Sequence, residues 1–130
     1  MLKNIAFYAA FTNLLTKNLI IQIKEKMLFH LDFRVEYSAE MSQNDLFDIW
    51  SEEATAAVGA KEAGVVVDLW KAVGDRRVIA IVNVESMEML DQILLDLPIM
   101  KRMGQHVKVD VTALRTYEGF AADVNERLTK

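Results

Sequence analysis

Cysteine is absent from the 130 residues. Disulfide staples, thiolate nucleophiles, iron–sulfur clusters and Cys-ligated zinc are excluded with it. Histidine is almost absent as well: His30 and His106 are the whole supply, too few for a His-rich metal site. There is no cationic surplus either, since 15 Lys+Arg stand against 19 Asp+Glu for a net charge of −4. Binding to a phosphate backbone needs such a surplus, so nucleic acid is not an expected partner. No apolar run approaches the roughly 20 residues that a membrane crossing requires, so no membrane association is expected. What remains is 52% apolar and 26% charged residues, the balance of one soluble globular domain, expected in the cytoplasm.

The first 26 residues differ from the rest. They carry four Lys and one Glu, a net +3, which leaves −7 on residues 27–130. They hold no Gly, Pro or Asp, and Asn13, Thr16, Lys17 and Asn18 interrupt their apolar stretches. No small-residue cleavage site precedes Met27, which argues against a secretory signal. Residues 1–26 therefore read as an N-terminal extension, disordered or a translated leader, and residues 27–130 as the domain. No repeat, low-complexity tract or flexible linker interrupts the latter.

From Leu28 the hydrophobic period is two. Phe29, Leu31, Phe33, Val35 and Tyr37 share one face, and His30, Asp32, Arg34 and Glu36 the other, as in a strand buried on one side. Ser42 followed by Asp45 predicts a capped helix running to Ala63, stopped by Gly64. Its apolar stripe is Leu46, Ile49, Trp50, Ala54, Ala57 and Val58. Two β-branched runs, Val65–Lys71 and Arg76–Val84, flank Ala72-Val73-Gly74-Asp75 as a hairpin. Ser86 caps a second helix with Met89, Leu90, Ile93, Leu94 and Leu97 on one side, ended by Pro98. Val107, Val109 and Val111 mark a fourth strand, and Gly119–Leu128 a tail helix presenting Phe120, Val124 and Leu128. The order β-α-β-β-α-β predicts an α+β, ferredoxin-like domain: a four-stranded antiparallel sheet, two helices on one face, plus a C-terminal helix. The third strand is apolar at both parities, with Ile79 and Ile81 opposing Val78, Ala80, Val82 and Val84. Helices cover only one face, so a second subunit is expected over the other.

Few residues offer chemistry. Glu53 falls at the margin of the first helix's apolar stripe, where partial burial raises a carboxyl pKa and suits a general acid–base; the alternative is a Glu whose stem merely covers core. Lys71 ends its strand on the parity of Val65, Val67 and Leu69, positioned to anchor an anionic substrate or to snorkel into water. His30 shares its face with Asp32 and Arg34 and is either a base or an interface residue, with no nucleophile at a telling spacing. Trp70 and Asp68 lie on that second face, where Trp70 is interface packing or a substrate platform. Arg76-Arg77 reads as a solvated hairpin pair, and Met87, Met89, Met100 and Met103 as adaptable packing.

Met27-Leu28-Phe29-His30, then Glu53, Gly64, Asp68-Leu69-Trp70-Lys71, Gly74, Ser86-Met87-Glu88-Met89-Leu90 and Leu97-Pro98 form one ordered series. It resembles the muconolactone Δ-isomerase family over about residues 27–114. The resemblance implies a dimeric α/β barrel assembly, a homodimer or larger ring, working in aromatic-compound catabolism without metal or organic cofactor. It implies a double-bond shift by 1,3 proton transfer in a small anionic lactone. Glu53, with His30 as second candidate, would carry the proton, and Lys71, Trp70 and Arg34 would contact substrate. The sequence departs from the family where Lys71 replaces the usual Arg, at the hairpin Gly74-Asp75-Arg76-Arg77, and at Met100-Lys101-Arg102-Met103. A non-catalytic ligand-binding or assembly protein, and a cofactor-free monooxygenase-like protein, are the competing expectations.

Overall fold

The computed structural model describes residues 26–129; the expected extension, apart from Lys26, lies outside the described residues. The elements are β1 (Met27–Val35), α1 (Gln43–Glu62), β2 (Val66–Lys71), β3 (Arg77–Val84), α2 (Met87–Asp96), α3 (Pro98–Met103), a single 3₁₀ turn (Gly104–His106), β4 (Val107–Leu114) and α4 (Tyr117–Thr129). The strands form one antiparallel sheet in the order β2-β3-β1-β4. This is the ferredoxin-like α+β arrangement that the element order predicts.

Local chemistry sets the boundaries. The Ser42 hydroxyl accepts the Asp45 N–H at 3.0 Å while Asp45 Oδ2 accepts the Ser42 N–H at 3.0 Å, a reciprocal cap that opens α1. Gly64 ends it at φ +83°, a left-handed conformation that costs a residue with a Cβ about 1–2 kcal/mol. Gly74, at φ +76°, turns the β2–β3 hairpin for the same reason. The Ser86 hydroxyl accepts the Met89 N–H at 3.0 Å and opens α2. Pro98 ends α2 as expected, but it also starts α3, an element the sequence did not suggest. A proline at the first helical position loses no hydrogen bond and has its φ preset, so one residue serves both helices.

The inner face of the sheet carries the core in two clusters. Phe29, Leu31, Ala80, Val82, Val84 and Leu90 form one. Val35, Leu46, Ile49, Ile99 and Met103 form the other. Removing a fully buried side chain such as Leu46 to Ala costs about 2–5 kcal/mol in such a setting.

Three packing expectations change. The alternation expected through Val65, Val67 and Leu69 breaks at a bulge: Val66 opposes Val82 and Asp68 opposes Ile81, so Val67 is the extra residue and stands 52% exposed. Lys71 still faces inward, because parity restarts at Leu69. Val58, placed on the α1 stripe by the helical wheel, is exposed as well. In α4 the stripe Phe120, Val124 and Leu128 exists but is exposed within one chain.

The outer face mixes Trp70, Ile79, Ile81 and His30 with a charged centre. Asp32 is 8% exposed and receives Arg77 Nε at 2.9 Å and a second Arg77 nitrogen at 2.7 Å, with Arg34 at 3.8 Å. Arg77 is therefore not half of a solvated hairpin pair; it is half-buried in a bidentate ion pair. Adjacent strands bring it there diagonally, since Arg34 opposes Arg77 and Asp32 opposes Ile79. No helix of the described residues is long and apolar enough to cross a membrane.

Candidate active site

The helix layer does not close onto the sheet. A cavity of about 310 Å³ lies between α1, α2 and the inner sheet face, with walls drawn from both core clusters. Its origin is visible in α1: Ala54, Ala57 and Ala60 line it where Leu or Ile would fill it. The facing walls are Leu31, Leu69, Ala80 and Val82 from the sheet and Ile93 and Leu94 from α2. Among the residues lining it, Glu53 and Lys71 are the charged ones.

Glu53 sits on α1 one turn beyond Trp50 and is half-buried. Its Oε2 accepts the Ile99 N–H of α3 at 3.0 Å, which orients the carboxyl and leaves Oε1 for another partner. Burial raises its pKa above the usual 4.5; the Ile99 hydrogen bond pulls back toward the anion, and neighbouring Glu52 adds a smaller upward push. A carboxyl so placed is a stronger base than an exposed one. Glu52 and Asp48 face outward from the same helix. Both pair with Arg102 of α3, at 3.0 and 3.2 Å, and so tie α3 to α1 beside the Glu53–Ile99 contact.

Lys71 ends β2 at the mouth. Its ammonium donates to the Ala72 carbonyl at 2.6 Å and keeps donors for a ligand. A shallower groove of about 480 Å³ adjoins the mouth, shares Trp50 and Lys71 with the cavity, and reaches Phe47, Gly74 and Arg76. Arg76 stacks on the Tyr37 ring at 4.5 Å and donates to its hydroxyl at 3.2 Å, a cation held in place beside that groove.

The sequence candidates thus divide between two faces. Glu53 and Lys71 meet at the cavity. His30 and Arg34 lie on the outer face, opposite Ile81 and Arg77, and the sheet separates them from Glu53; Trp70, opposite Ile79, has the same parity, but on the edge strand it also contributes to the cavity lining. Sequence reasoning missed the Ile99 N–H, although proline at a helix start was its signal, and it missed the Tyr37–Arg76 stack, which needs the hairpin's position. Among the described residues no three His, Asp or Glu side chains converge to ligate a metal ion.

An antiparallel sheet under two helices, with one half-buried carboxyl on the wall of a partly open apolar cavity between the layers, defines a ferredoxin-like subunit with a candidate small-molecule site. The sequence profile of the family described as muconolactone delta-isomerase matches residues 27–119, and the chain belongs to that family. A crystal structure of muconolactone isomerase is similar in fold, with a TM-score of 0.60 and 23% sequence identity over 70% of this chain and 91% of that one. No curated protein sequence matches the chain.

Proposed function

We propose that this protein is a cofactor-independent isomerase that moves a double bond within muconolactone or a related small unsaturated lactone of aromatic-compound catabolism. The observation that carries the reading is the half-buried Glu53 carboxyl on the wall of an otherwise apolar cavity, its pKa raised by that burial. In such a lactone the ring proton γ to the carbonyl is acidified through the double bond. The Glu53 carboxylate takes it, and the electron pair spreads into a dienolate. The resulting carboxylic acid returns the proton to the α carbon, so the double bond shifts by one position and no atom is gained or lost. Ile99 holds one carboxyl oxygen throughout, which lets the other work on both carbons of the same ring face. Lys71 receives the substrate carboxylate. An ammonium in place of a guanidinium makes that anchor a point charge and not a bidentate clamp.

The Glu53 carboxyl facing the cavity favours this reading over a non-catalytic protein; Met87, Met89, Met100 and Met103 are absent from the cavity walls, and Phe33 lines the cavity without filling it. Self-association through the outer sheet face and the exposed α4 stripe belongs to the same proposal, with His30 and Trp70 as interface residues and Arg34 supporting Asp32. The test is conversion of muconolactone and of ring-alkylated muconolactones, followed by NMR in D₂O, with and without oxygen. Deuterium at the α carbon of an isomerised lactone supports the reading. An oxygenated product or an unchanged lactone refutes it.

A further inference from the structure

Resting on that isomerase reading, we infer that the substrate is a lactone acid larger and more apolar than muconolactone, one whose ring carries a hydrocarbon substituent lodged in the deep end of the cavity. Size is the first argument. An apolar protein cavity of about 150 Å³ holds a benzene ring, and muconolactone, with about ten non-hydrogen atoms against six, needs about 250 Å³ on the same scale. The present cavity, at about 310 Å³, exceeds that, and the carboxymethyl arm of the ligand lies at the mouth with Lys71, so the space left over is at the deep end.

Polarity is the second argument, because the cavity has two unlike ends. Pairing places Lys71, Val78 and Phe33 in one row across the sheet, Leu69, Ala80 and Leu31 in the next, and Val66 with Val82 beyond. On the helix above, Trp50 shares the mouth with Lys71, and Glu53 follows one turn later. Ala60 marks the far end, where its carbonyl accepts the Val65 N–H at 3.0 Å. Both charged groups therefore lie toward the mouth. The far half is walled by Ala60, Val65, Val82, Val84, Leu90 and Leu94, which offer no side-chain hydrogen bond. A lactone carbonyl or second carboxylate placed there would lose its hydration without compensation, whereas a hydrocarbon gains by leaving water. A ligand with its carboxylate at Lys71, its ring beside Glu53 and an alkyl group reaching Val84 satisfies every wall.

Calorimetric titration of the protein with muconolactone and with homologues bearing a methyl, propyl or pentyl group on the lactone ring tests this. The dissociation constant should fall about three- to fourfold per added methylene until the cavity is full. Ala57→Leu, which narrows the deep half, should abolish the advantage of the pentyl homologue over muconolactone, with circular dichroism reporting the fold. Equal or weakening affinity along the series for the unaltered protein overturns the inference, even if muconolactone itself is isomerised. Deuterium exchange measured by NMR in the same samples judges the isomerase reading separately. Graded affinity without exchange supports the ligand class and removes that reading.

Discussion

Two carboxyls, Glu53 under the sheet and Asp32 on its outer face, are both drawn out of bulk water, yet their surroundings drive them in opposite directions. Asp32 is the more buried side chain by exposed area, but Arg77 grips both its oxygens, and that pairing holds its pKa below 3.8. Glu53 is less buried and has no cation of its own. It has one backbone N–H, so desolvation dominates and its pKa rises above 4.5. Depth of burial alone therefore does not make a proton carrier. A carboxylate locked by a bidentate guanidinium is a structural anion, whereas one facing an apolar cavity with a single neutral donor is drawn toward its protonated form.

The contrast can be broken most forcefully at Glu53. Glu53→Gln keeps the side chain's size and one oxygen for Ile99 but cannot carry a proton, and turnover of the lactone should fall by about two to four orders of magnitude. Steady-state kinetics on the folded variant measures it. Lys71→Met should act chiefly on KM, raising it about tenfold to a hundredfold, because the lost charge-assisted contact is present both before and during reaction. On the other face, Arg77→Met leaves Asp32 buried without its partner and should lower the thermal midpoint. Adding Asp32→Asn should recover part of that loss, and calorimetric melting of both variants checks the order. The smallest effect belongs to His30→Gln, expected within about threefold of the parent turnover, since the sheet separates it from Glu53.

The same pair makes a prediction about pH and stability with opposite signs. A carboxyl whose folded pKa is raised binds its proton more tightly in the native state, so its contribution is present below 4.5 and is lost as pH rises through the folded value. A carboxyl whose folded pKa is lowered contributes above 3.8 and loses that contribution as pH falls toward the folded value. Relative to the parent, Glu53→Gln should thus gain stability as pH rises above 4.5, and Asp32→Asn should lose most at neutral pH. Melting curves across that range distinguish them.

Much of this architecture is legible in the residues themselves. Period-two strands, Ser42 with Asp45, Gly64 and Ser86 each act locally, so they report element boundaries without tertiary information. Glu53 could be singled out because its place on the helical wheel is local too. The bulge at Val67 was hidden because Val65, Val66 and Val67 are chemically alike, and only pairing with β3 decides which one is extra. The Asp32–Arg77 pair was hidden because it joins residues 45 apart along a diagonal that only the strand register defines. The cavity was hidden for a different reason: Ala54 and Ala57 read as stripe residues whether the space beneath them is filled or empty. Volume is a property of the packed whole, and Pro98 had to start α3 before Ile99 could meet Glu53.

The central claim is that the Glu53 carboxyl, and not the Asp32 carboxylate, is the group whose ionisation governs catalysis. The most direct measurement combines a ¹³C NMR titration of the two carboxyl carbons with the pH profile of kcat/KM for the parent and for Asp32→Asn. Glu53 should titrate above 4.5 and Asp32 below 3.8, with the acidic limb of the profile following Glu53 and unmoved by Asp32→Asn. A Glu53 carbon titrating below 4.5, or an acidic limb that shifts when Asp32 is replaced, would contradict the account.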